Sequence, residues 1–163
     1  MEHELIVENE FSYIESGEGR PIVILHGLMG KLSNFKGVYE YFPKKNYKVV
    51  IPELPIEKVS ILNTNVKTFA KYVFDFVKFK KLSDIILVGN SLGGHVALLF
   101  TRDYPELVEG LVITGSSGLY ERSMIGDGYP KRSNYEYIKS KTEEVFYDPA
   151  TATKELVDDI FET

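Results

Sequence analysis

The 163-residue chain has no cysteine, no tryptophan and only three histidines. Without cysteine there is no disulfide framework and no thiolate metal site. A cysteine-free chain fits a reducing compartment, and the expected location is cytoplasmic. The opening residues, Met1-Glu2-His3-Glu4, are acidic and lack the basic start and apolar run of a signal peptide. No apolar stretch approaches membrane-spanning length, so no membrane partner is expected. An excess of positive charge is also missing: 19 Lys and Arg stand against 24 Asp and Glu, for a net charge of −5. The lysines are scattered among acids, which argues against a nucleic-acid partner. There is no internal repeat and no low-complexity tract. With 163 residues and 44% apolar content, there is room for one core domain and part of another.

What is present concentrates in Gly89-Asn90-Ser91-Leu92-Gly93-Gly94. By composition alone, G-x-S-x-G arises by chance in roughly one chain in twenty of this size, where it would mark only a glycine-rich turn. The flanks say more. Asp84 to Val88 is a short apolar, β-branched run, and His95 to Phe100 reads as a helix. A serine on a tight strand-to-helix turn is lifted out of the top of a sheet, and the small residues around it avoid collisions with strand and helix. That crowding predicts strained backbone angles at Ser91 and a hydroxyl facing the Leu28 loop. A helix starting there points its N-terminus at the reacting centre and favours negative charge.

A second motif lies upstream. Pro21-Ile22-Val23-Ile24-Leu25 is a buried-type strand that runs into His26-Gly27-Leu28-Met29-Gly30. The two motifs stand about 60 residues apart, the room that two βα units need. In order and spacing they resemble the α/β-hydrolase family, whose members carry an H-G-x-x-G or similar loop after the third strand and a nucleophile elbow after the fifth. The Gly-Asn-Ser wording, followed by Gly115-Ser116-Ser117-Gly118, is most similar to serine hydrolases of the meta-cleavage-product and small-ester type.

The resemblance implies an α/β fold with a mostly parallel sheet and flanking helices. It implies Ser91 as catalytic nucleophile and the backbone N–H groups of Leu28 and Leu92 as the oxyanion hole. His26, Gly27, Gly89 and Gly93 would support the two motifs. No cofactor and no metal are implied, and the partner is a small-molecule acyl substrate. Cleavage of an ester, a thioester or a carbon–carbon bond next to a carbonyl stays open. Relatives acting on epoxides or haloalkanes use an aspartate nucleophile, so Ser91 argues against both.

The resemblance also implies more chain than is here. Family members continue with two further strands, the triad acid following the seventh and the histidine the eighth. After Gly118 there is no further strand-like run and no late histidine. The expectation is therefore the N-terminal part of such a protein, truncated within a helical cap: residues 1–118 as core and 119–163 as partial cap, with base and acid beyond Thr163. Of the histidines present, His3 lies at the terminus and His26 is expected to organise its loop by hydrogen bonds. His95 follows Ser91 by four residues, but an elbow serine points away from its helix, so His95 is read as structural. Glu53 is read as structural or at the pocket edge. Glu121, after the sixth strand, is an acid position in some members, but the neighbouring Arg122 suits an ordinary surface carboxylate. Tyr120, Tyr129, Tyr135, Tyr137 and Tyr147 either line a pocket or pack helices, with packing favoured. A non-catalytic binding module on the same fold is the alternative function.

The remaining elements follow from pattern. Glu4 to Ile14 reads as a hairpin turning near Glu8-Asn9, and Tyr47 to Leu54 as the fourth strand and its loop. Ser33 is expected to cap a helix over Asn34 to Phe42, ended by Pro43. Asn63 and Thr64 are expected to cap a second, whose Val66, Phe69, Ala70, Val73, Phe76 and Val77 fall at helical spacing. Leu107 to Gly115 reads as the sixth strand. An unpaired sixth strand would invite self-association or a complementing chain.

Overall fold

The computed structural model describes residues 4–28, 32–56, 58, 65–119, 134–144 and 146–161. Six strands form one sheet: β1 (Ile6–Glu8), β2 (Phe11–Ser16), β3 (Arg20–Leu25), β4 (Tyr47–Pro52), β5 (Ile85–Asn90) and β6 (Val108–Thr114), in the order β1-β2-β4-β3-β5-β6. β1 and β2 form an antiparallel hairpin and β2 pairs antiparallel with β4, while β4, β3, β5 and β6 run parallel. The hairpin pairs Glu8 with Phe11, so its turn is Asn9-Glu10, one residue later than the pattern indicates. Asn9 takes φ 54°, a value asparagine tolerates better than glutamate.

β3 and β4 are buried along most of their length and β5 is buried on one face and half-buried on the other, so these strands read as near-continuous apolar runs, while β6 is half-buried to exposed. On one face Val23, Leu25, Ile85 and Leu87 pack under α2 (Val66–Phe79) and α3 (Leu92–Asp103), through Phe69, Val73, Val77, Val96 and Phe100. On the other, Ile22, Ile24, Val49 and Ile51 pack with Phe35 and Val38, at and within α1 (Lys36–Tyr41). Phe76 closes the core beneath the hairpin against Phe11, Tyr13 and Val50. Five of the six stripe residues of α2 are buried and Val66 is half-buried against them, and each fully buried Phe or Val contributes about 1.5–3 kcal/mol by leaving water.

Two helix starts differ from expectation. Asn65, not Asn63 or Thr64, caps α2: its Oδ1 accepts from Thr68 N–H at 3.0 Å. Asn63 and Thr64 lie outside the described residues. The first expected helix begins as a 3₁₀ turn, Leu32–Phe35, becomes α-helical only at Lys36, and tightens again to 3₁₀ over Phe42–Lys45, where Pro43 removes a donor. The Ser33 side chain lies outside the described residues.

The polar surface beneath the hairpin is tied by one network. Glu15 meets Lys80 at 3.0 Å and Lys48 at 3.2 Å. Lys80 also donates to Tyr13 Oη at 2.8 Å, and Tyr13 donates to Glu8 at 2.6 Å. Burial works to raise the Glu15 pKa, but its hydrogen bonds and charge attraction to the two lysines outweigh that and hold it below the ordinary value.

The chain divides into two compact units, Met1–Glu121 and Arg122–Thr163. In the second, α4 (Tyr135–Glu143) is capped by Asn134, whose Oδ1 accepts from Tyr137 N–H at 3.1 Å. Thr153 Oγ1 accepts from Leu156 N–H at 3.3 Å at the start of α5 (Lys154–Phe161) and caps that helix. Tyr135 packs edge-on against Phe161 and donates to Asp158 at 2.7 Å, so it joins the two helices; Tyr147 is exposed. Tyr120, Glu121, Arg122 and Tyr129 lie outside the described residues. No helix among the described residues is long and apolar enough to cross a membrane.

Candidate active site

The register of the sheet brings the two motifs together. Leu25 at the end of β3 pairs with Gly89 of β5, and Gly89 with Ile113 of β6. The His26-Gly27 loop therefore emerges beside Asn90-Ser91. A Cβ on Gly27 would stand 3.2 Å from Ser91 Cβ, so the Gly27–Leu28 peptide lies against the serine.

Ser91 takes φ 53° and ψ −118°. A positive φ is uncommon for a side-chain-bearing residue, and this ψ lies outside the left-handed helical well as well. The strain expected at the elbow is present. Ser91 also occupies the N-cap position of α3, where a serine ordinarily takes extended angles and caps with its hydroxyl. Here it makes no side-chain cap bond. Ser91 is exposed.

Close approach explains the neighbouring glycines. A Cβ on Gly89 would lie 2.6 Å from Gly94 Cα and press on the Gly93 carbonyl, while one on Gly93 would lie 2.6 Å from the His26 carbonyl and press on that of Leu25. These obstacles are backbone, which cannot swing aside. Strand and helix meet at this distance only because both residues lack side chains.

The first N–H groups of a helix have no intrahelical partner. Those of Gly94 and His95 turn back to the Ser91 carbonyl at 3.0 and 3.2 Å. Among the described residues, neither the Leu28 nor the Leu92 N–H has an acceptor. Leu92 follows Ser91 directly, at the positive end of a 12-residue helix.

His26 is buried, and both ring nitrogens are engaged. Leu54 N–H, which can only donate, gives its hydrogen to Nε2 at 2.9 Å, so the proton sits on Nδ1 and is donated to the Gly27 carbonyl at 2.8 Å. His26 therefore locks its own loop to the segment after β4. Glu53, next to Leu54, pairs with Lys58 at 3.2 Å on the surface. The His95 ring lies where a Gly118 Cβ would stand, with Cδ2 2.5 Å from that point. No His, Asp or Glu among the described residues hydrogen-bonds the Ser91 hydroxyl, and none gather into a group of three that would hold a metal. His3 lies outside the described residues, as do Met29 and Gly30 of the second motif.

A family model described as alpha/beta hydrolase fold matches residues 20–144. The chain belongs to the α/β-hydrolase fold family. Among solved structures, an α/β-hydrolase enzyme from the metagenome of Mar Chica lagoon sediments, Morocco, is 63% identical, with a TM-score of 0.69 over 72% of this chain and 54% of that one. A 2-hydroxy-6-oxo-6-phenylhexa-2,4-dienoate hydrolase of Comamonas testosteroni is 27% identical over 164 residues, 89% of this chain and 56% of that protein. The meta-cleavage product hydrolase CumD superposes with a TM-score of 0.76 at 21% identity, over 98% of this chain and 63% of its own, a likeness of fold alone. The α/β-hydrolase chain thus spans 54–63% of the length of these three proteins.

Sequence reasoning located Ser91 and its glycines but not the partners that hold them. Leu54, Thr114 and Ser117 contribute backbone atoms, which leave no signature in residue type. The Gly93-Gly94 doublet was the available signal, since a second glycine in a helix marks a close neighbour.

Proposed function

We propose that this chain carries the nucleophile and oxyanion hole of a serine hydrolase acting on a small-molecule acyl substrate. One observation carries the reading: Ser91, strained at φ 53° and ψ −118° between strand and helix, makes no cap bond with its hydroxyl. Ser91 Oγ attacks the carbonyl carbon and loses its proton to a base. The oxyanion of the tetrahedral intermediate sits on Leu28 N–H and Leu92 N–H. The leaving group departs with a proton, and water releases the acyl group from Ser91. Ester, thioester and carbon–carbon substrates share these steps, and the Comamonas relative's name favours keeping the last.

The base and acid of this reading come from chain following Thr163, which the greater length of the relatives supports. Residues 119–163 are read as part of a helical cap, and β6 as an edge that takes a strand from another segment or copy. The reading of a non-catalytic module draws on one observation: no described histidine meets the Ser91 hydroxyl.

A fluorophosphonate probe separates the two. Slow labelling of the 163-residue chain, lost in Ser91→Ala and unchanged in His95→Ala, is expected; an oxyanion hole without a complete triad retains about 10³–10⁴-fold catalysis. No labelling of Ser91 in a longer chain bearing a late histidine would refute the hydrolase. Rapid labelling abolished by His95→Ala would make His95 the base.

A further inference from the structure

The last residue of β6 and the loop that follows it grip Ser91 on both of its peptide groups. The Thr114 carbonyl accepts Ser91 N–H at 3.0 Å. On the other side the Ser91 carbonyl accepts Ser117 N–H at 3.3 Å, with the Ser117 hydroxyl 3.5 Å from the same oxygen. Asn90, the residue before the serine, donates its side-chain amide to Thr114 Oγ1 at 2.9 Å and to Thr114 O at 3.2 Å. With the N–H groups of Gly94 and His95 also on it, the Ser91 oxygen has more donors than lone pairs.

The loop has its own seat on α3. A Cβ on Gly94 would meet Ser116 Oγ at 2.5 Å and Ser116 Cβ at 2.7 Å. Gly118 lies against the His95 ring, as described above. Ser116 Oγ donates to the Ser117 carbonyl at 2.7 Å, which closes the turn on itself. Alanine is the better helix former at an interior position, so Gly94 has a packing reason to be there.

A strained residue persists only where its surroundings over-determine it. We propose that residues 114–118 are a positioning clamp: the Thr114 carbonyl and the Ser117 N–H hold the two peptides of Ser91, and Ser116 seated on Gly94 holds the clamp to the helix. Its catalytic consequence rests on Ser91 being the nucleophile; its backbone geometry does not. A clamp on the backbone fixes where Oγ and the Leu92 N–H point. Displacing it would spoil both at once.

Gly94→Ala tests this, because the added methyl pushes on Ser116 while favouring the helix. In the 163-residue chain the variant is expected to keep its far-ultraviolet spectrum and cooperative unfolding. Amide hydrogen exchange at Ser91 and Ser117 should rise about tenfold, as their bonds weaken. Fluorophosphonate labelling of Ser91 should slow about 10²-fold, the cost of a displacement of about 1 Å at a reacting group. Adding Ser116→Gly removes the two nearest atoms the methyl meets, leaving only Ser116 Cα at 3.2 Å, and should restore most of both. Unchanged exchange and labelling in a folded Gly94→Ala chain would overturn the clamp. So would a loss that Ser116→Gly does not relieve. If the wild-type serine never labels but exchange responds and is rescued as stated, the clamp stands and the hydrolase reading falls. If Gly94→Ala does not fold, Ser116→Ala, which drops the 2.7 Å bond within the turn, replaces it: faster exchange at Ser117 supports the clamp, and no change refutes it.

Discussion

Replacing Ser91 by glycine and by alanine should reverse the usual order of those two residues. In an ordinary helix, glycine is about 1 kcal/mol worse than alanine. At Ser91 the backbone sits at φ 53° and ψ −118°, which costs a residue with a Cβ about 1–3 kcal/mol. Alanine keeps the Cβ and therefore the strain. It loses only a hydroxyl that caps nothing, so its stability should lie within about 0.5 kcal/mol of the parent. Glycine removes the strain but adds about 0.5–1 kcal/mol of backbone entropy to be lost on folding. The net is a gain of about 0–2.5 kcal/mol for Ser91→Gly over Ser91→Ala. Urea unfolding at neutral pH measures it, as a higher midpoint with an unchanged slope. A glycine variant less stable than the alanine variant would show that Ser91 is unstrained, and the elbow geometry would fail with it.

Three further outcomes are expected. His26→Phe keeps the ring volume but leaves the buried Leu54 N–H without its acceptor and frees the Gly27 carbonyl; it should cost about 2–3 kcal/mol in the same assay, and a loss under about 0.5 kcal/mol would refute the loop-locking role. Glu15 is held below its ordinary value of 4.5, so its contribution is present above that pH and lost as pH falls through the lower folded value; Glu15→Gln should therefore destabilise at pH 7 by about 1–3 kcal/mol but converge with the parent as the pH is taken below that ordinary value, and parallel curves throughout an acid titration would remove Glu15 from the acid response. For the β6 edge, whose Val112 is exposed and whose outer side has no ladder partner among the described residues, sedimentation should show concentration-dependent association, and a monomer throughout with slow exchange over Gly110 to Ile113 would refute it.

Much of the α/β-hydrolase fold was legible because its signals are local. A buried parallel strand must be apolar at every position, as Ile22 to Leu25 and Ile85 to Val88 are. A helix on a sheet must repeat its apolar residues at 3.6, as α2 does. A tight strand-to-helix turn needs glycines at Gly89 and Gly93 wherever it occurs. Those requirements act on side chains of neighbouring residues, so residue types alone reveal strand, helix, elbow and the serine on it. The start of α1 was less legible, because its 3₁₀ entry packs Leu32 and Phe35 on a core cluster drawn from β2, β3 and β4, which lie apart in the chain. What only the tertiary structure decided concerns backbone atoms far apart in the chain. Leu54 N–H fixes the His26 tautomer across 28 residues, and Thr114 and Ser117 hold Ser91 from more than 20 residues away. Every residue but proline offers the same N–H and C=O, so residue type does not mark which of them meet. The register of β3, β5 and β6 does that, and it exists only in the folded sheet.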